Sequence, residues 1–191
     1  MEQNKEMTAQ ESLHLIRETM NNSRKAILRN SAKYFLLWGT LLTVMSLVIY
    51  FLWHATGKPQ WNFLWFVLPA IGYPVAGMMR KNDVAVPQNE ISKMLSSVWS
   101  VFGAFSVTLS VIAICLVPMN VTLIIVVLMG LAECFSGAIL KSWPIIICGF
   151  LLGVGGAVIA MLVSSEAQLL IFTLGGVLLA LTGLIMKFQN K

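Results

Sequence analysis

The chain is 191 residues long, 58% hydrophobic and only 11% charged, with a net charge of +5 and a mean hydropathy of +0.81. A water-soluble domain of this size still exposes roughly a third of its unfolded surface. So apolar a chain has too little polar surface to meet water there, which excludes a soluble enzyme. If about 20 residues cross a bilayer once, the chain holds six crossings and little else.

In chain order, residues 1–33 read as a polar leader whose later part is an amphipathic helix, cytoplasmic or lying in the membrane interface. Thr8 and Glu11 match the T-x-x-E capping box, and Leu13, Ile16, Met20 and Ile27 recur on one helical face. Arg17, Arg24, Lys25, Arg29 and Lys33 are candidate contacts to anionic lipid headgroups, each contributing about 1 kcal/mol near the surface. Two readings of the leader stay open: it obeys the orientation rule alone, or it docks a cytoplasmic protein.

Six stretches of 19 to 23 residues follow with few or no charges: 34–53, 61–79, 95–117, 121–140, 144–163 and 167–186. Each matches the roughly 30 Å of a hydrocarbon core when helical. Strands would leave amides unpaired in lipid, so the expected fold is an all-α, polytopic transmembrane bundle of six spans, 34–187, with a short tail, 188–191. Three of the connections are only a few residues long, which makes the third and fourth, fourth and fifth, and fifth and sixth spans antiparallel neighbours.

The second span contains Pro69 and Pro74, each lacking an amide donor, so it should bend. The bend is either ordinary or one wall of a cavity lined by Trp65, Tyr73 and, from the fourth span, Ser136. The fourth span also holds Glu133, the one ionisable acid or base at depth in any span. A carboxyl there costs on the order of 3 kcal/mol. It should therefore face the bundle and bind a proton at neutral pH. Either it is a permanent hydrogen-bond donor, to a backbone carbonyl or to Ser106, Thr108 or Ser110 of the third span, or it exchanges its proton for a cation. Small multidrug exporters work with a single membrane glutamate, but their sequence pattern is absent here.

Small residues recur three or four apart in the last two spans, as Gly149, Gly153, Gly156 and Ala160, and as Gly176, Ala180 and Gly183. They predict a tight final hairpin, or a homo-oligomer contact through the same faces. Gly77, Gly137 and Gly183 each stand four residues before a lysine, with Ala70, Gly130 and Gly176 seven residues upstream of them. This pattern fits a triplicated hairpin, although the odd-numbered spans do not align.

Loop charge sets the expected orientation. Twelve of the thirteen Lys and Arg residues fall on the side of the termini, and Lys58 alone falls on the other. Both ends are therefore expected in the cytoplasm. Trp38, Trp53, Trp61, Trp65 and Trp143 lie near span ends, where amphipathic rings favour the headgroup level.

The search for chemistry is largely negative. Cys115, Cys134 and Cys148 show no metal or disulfide spacing. Cys134-Phe135-Ser136-Gly137 is similar to the G-x-S-G of rhomboid proteases, but the first glycine is missing and no span holds a histidine to act as base. Gly153-Val154-Gly155-Gly156 lies inside a span and reads as packing. The chain is expected not to be an enzyme, to need no cofactor or metal, and to bind no nucleic acid.

The leader from Glu11-Ser12-Leu13 through Asn30-Ser31 runs into Tyr34-Phe35-Leu36-Leu37-Trp38-Gly39, and Lys141-Ser142-Trp143-Pro144 precedes a glycine-rich span. In these stretches the chain resembles small six-span bacterial integral membrane proteins of no established activity. The resemblance implies a bacterial inner membrane and supplies no site residues. The expected role is a non-enzymatic regulatory or accessory membrane component whose surroundings are the bilayer and a cytoplasmic protein. The alternative is a small proton- or cation-coupled transporter built on Glu133.

Overall fold

Hydrocarbon offers backbone amides no partner but each other, and every regular element described is helical. A computed structural model describes residues 9–81, 90–117 and 119–188, with no strand among them. The capping residue Thr8, the connection through Pro87, and the side chains of Ile16, Met20, Arg24, Lys25 and Arg29 lie outside the described residues. Six helical stretches are long and apolar enough to cross a membrane: Ala26–Thr56, Pro59–Arg80, Ile91–Cys115, Val121–Ile139, Trp143–Leu162 and Leu169–Phe188. The chain is a multi-pass membrane protein.

The leader and the first span are not separate elements. They form one helix, α1 (Ala9–Thr56), of 48 residues and about 72 Å. Nothing between Arg29 and Tyr34 breaks a helix, so the leader continues along the axis of the span and projects about 25 Å beyond Ala26. Arg17, exposed on this rod, is about 24 Å of helical rise from Lys33. Lys33 itself turns back to donate to the carbonyl of Met79 at 3.4 Å, where a cation suits a helix C-terminus.

Gly57 ends α1 in the left-handed region, at φ 68°, and a 3-10 segment, Pro59–Phe66, leads into α2 (Val67–Arg80). Pro69 falls in the first turn of α2 and Pro74 lies inside it, each withholding an amide donor. The irregularity of the second span is concentrated before α2. Then come α3 (Glu90–Cys115), α4 (Val121–Ile139), α5 (Trp143–Phe150), a π-helical turn (Leu151–Gly155), α6 (Gly156–Leu162) and α7 (Leu169–Phe188). Lys141 adopts φ 50° in the turn after α4. The amides of Lys141 and Ser142 bond back to Ala138 and Gly137, the paired arrangement that closes a helix with a left-handed residue.

Two tight pairs make the core, and neither is the final hairpin. The first and most extensive joins α1 to α7. A Cβ added at Gly39 would lie 2.5 Å from the Ala180 amide nitrogen, and one at Gly176 would lie 2.7 Å from the Gly39 carbonyl. Ser46 and Thr173 add a hydroxyl hydrogen bond of 2.9 Å across this pair. The second pair joins α4 to the fifth span. A Cβ at Gly130 would lie 2.5 Å from the Gly153 nitrogen and 2.6 Å from the Gly149 carbonyl. Gly149 and Gly153, four residues apart, both meet Gly130, while Val154 in the π turn faces outward.

The small-residue faces expected to meet each other in a final hairpin therefore pack on different partners. Contact between the fifth and sixth spans is slighter than within either pair. Nor are the three glycines of the proposed repeat equivalent: Gly137 and Gly183 are pressed against neighbours, whereas a Cβ at Gly77 would meet nothing within 4 Å. α3 rests on α4, the second span rests on α1, and their flanks are turned outward to lipid.

Candidate functional site

Asn120 starts α4 by accepting the Leu123 amide at 3.1 Å, and the helix turns one face inward. That face carries Val126, Met129, Gly130, Ala132, Glu133, Ser136 and Gly137, all buried. Glu133 is fully enclosed, at 0% exposure. Its partner comes from α7: the Thr182 hydroxyl, itself at 0% exposure, donates to Glu133 Oε1. Glu133 Oε2 is buried with no hydrogen-bond partner among the described residues. Cys148 of α5 lies beside the same threonine and carboxyl. The expected third-span hydroxyls do not reach it; Ser110 donates instead to the Ser106 carbonyl at 2.7 Å.

One turn along α4, Ser136 is committed in both directions. Its hydroxyl donates to the Ala132 carbonyl at 2.7 Å and accepts the Trp99 indole N–H at 3.1 Å. A hydroxyl so engaged is neither a free nucleophile nor a free ligand. Trp99 in turn meets Phe35 and Phe102 edge-on, with centroids 5.3 and 5.6 Å apart. Cys134 Sγ donates to the Ile146 carbonyl at 3.4 Å. No group of three His, Cys, Asp or Glu side chains able to hold a metal occurs among the described residues.

The residues expected to line a route with Glu133 are not brought together. Trp65 packs edge-on against Phe172 at 5.0 Å, and Phe172 is ten residues, or about 15 Å of rise, from Thr182 on α7. Tyr73 is 67% exposed and rests against Trp38 at 5.4 Å on the outside of the second span. Only Ser136 shares the interior with Glu133. Of the headgroup candidates, Lys33 reaches the Met79 carbonyl and Arg17 is exposed on α1.

Two connections escaped sequence reasoning. Thr182 is one of two hydroxyls in an apolar span, whereas adjacency in sequence points to the third span for the partner of Glu133. His54 Nδ1 donates to Glu166 Oε1 at 2.7 Å, tying the C-terminal end of α1 to the turn before α7. Their signal was available: each is an ionisable group at the end of a span on the same side. In that region the Gln168 amide also donates to the Ala160 carbonyl at 2.8 Å.

No family model, curated protein or solved structure matches this chain. Its site is read from geometry alone.

Proposed function

We propose that this chain is a non-enzymatic component of a bacterial inner membrane, regulatory or accessory in role, with both termini in the cytoplasm. The observation that carries the reading is the closure around the buried carboxyl: Glu133 is wholly enclosed and bonded to an equally enclosed Thr182. A carrier would need that carboxyl to meet solvent from one side or the other. Trp65 and Tyr73, the aromatic residues that would flank a route, are turned elsewhere. The orientation is supported by the twelve-to-one division of basic residues, and the rod of α1 before Ala26 is the natural cytoplasmic contact for a partner protein.

One observation favours the transporter reading: Glu133 Oε2 has no hydrogen-bond partner among the described residues, which leaves it open to a proton or cation. Proton-driven flux into liposomes separates the two. Purified protein is expected to give no flux above empty liposomes, and Glu133→Gln to change nothing; flux lost in that variant overturns the accessory reading. Tags at both ends are expected to resist protease in intact spheroplasts and to be cleaved after lysis. Cleavage before lysis would reverse the orientation.

A further inference from the structure

We infer that the first outer turn carries a binding site for the headgroup of an anionic phospholipid, formed by Lys58 and Gln60 over a floor of Trp61, Phe63 and Leu64. These five residues line an open groove of about 460 Å³. The turn holds itself in shape. The Gly57 amide bonds to the Trp53 carbonyl at 2.7 Å, the Trp61 indole N–H donates to Thr56 Oγ1 at 2.8 Å, and the Asn62 amide donates to the Pro59 carbonyl at 3.0 Å. These bonds consume the polar edges of Trp61 and Asn62. They leave the Lys58 ammonium and the Gln60 amide as the groove's polar side chains, with no side-chain hydrogen bond or ion pair among the described residues.

Charge and depth identify the occupant. Lys58 is the one charged residue between Lys33 and Arg80, so no neighbour in sequence neutralises it. Glu166, the acid of the last outer turn, is engaged by His54. The groove lies where two apolar stretches, Ala26–Thr56 and Pro59–Arg80, reach their common end, which is the level of the headgroups. A phosphodiester there accepts from the ammonium and the amide, and the first methylenes of its acyl chains cover Phe63, which is 58% exposed, and Leu64. A zwitterionic headgroup brings an ammonium of its own that competes for the phosphate. An anionic one, such as phosphatidylglycerol, does not.

The test uses the full chain in phosphatidylcholine vesicles holding a minor fraction of brominated phosphatidylglycerol, or the same fraction of brominated phosphatidylcholine. Fluorescence quenching differenced against Trp61→Phe isolates the lipid beside Trp61 from lipid held at the basic cytoplasmic side. Phosphatidylglycerol is expected to be enriched about five-fold there, the equivalent of one basic residue at a membrane surface. Lys58→Gln should abolish the excess and Lys58→Arg should keep it. Equal quenching by the two lipids, or an excess that survives Lys58→Gln, would refute the site. Loss of the excess on adding inorganic phosphate would reassign the groove to a free anion and equally overturn the proposal. Unchanged elution of Lys58→Gln on size exclusion keeps its loss of lipid distinct from misfolding.

Discussion

Gly176→Ile is expected to destabilise the protein by about 3 kcal/mol, read as a lowered midpoint in detergent-induced or thermal unfolding of the purified chain. The cost comes from backbone. The new Cβ would sit 2.7 Å from both the Gly39 carbonyl oxygen and the Thr43 amide nitrogen, atoms that can yield only if α1 and α7 separate. Separation forfeits the Ser46 to Thr173 hydrogen bond and the contact of Gly183 with Ala32 as well. Gly77→Ile is the control, since a side chain there meets nothing within 4 Å, and it should change stability by no more than about 0.5 kcal/mol. Equal effects at the two positions would refute the pairing of the first and sixth spans.

Thr182→Val should cost about 2 kcal/mol, the penalty of leaving a buried polar group without a partner. Among the described residues the hydroxyl is the one group bonded to Glu133, and Oε2 has no partner. Thr182→Ser, which keeps the donor, should recover most of the loss. Glu133→Gln keeps an acceptor for Thr182 and should cost less than about 1 kcal/mol. Glu133→Leu combined with Thr182→Val removes both polar partners together and should be milder than Thr182→Val alone. If Thr182→Val costs less than ~0.6 kcal/mol, the average for hydrogen bonds between membrane helices, the carboxyl has found another partner and the closed centre is not what holds this part of the bundle.

How Glu133 is held illustrates the limit of reading by adjacency. That this carboxyl faces inward follows from its cost in lipid, a property of the residue and its surroundings alone. Which hydroxyl meets it depends on how α7 lies against α4, and Thr182 is 49 residues away. The same holds for Trp99 and Ser136, 37 residues apart, and for His54 near the end of α1 and Glu166 in the turn before α7. Trp65 and Tyr73 failed as a set with Glu133 for the converse reason. A proline-rich aromatic span looks like a cavity wall in sequence, yet the second span lies on the periphery and rests on α1.

By itself the sequence determined the number of spans, their approximate limits and the inward turn of Glu133. Each follows from local rules: the thickness of hydrocarbon, the cost of an unpaired amide, and the cost of a charge. Only the tertiary structure decided the partners. Lipid is as apolar as the helices, so burial gives no preference between one greasy face and another, and close fit at small residues does the selecting. Gly176, Ala180 and Gly183 advertise a face that will pack tightly, but not that Gly39 and Thr43 of the first span will fill it.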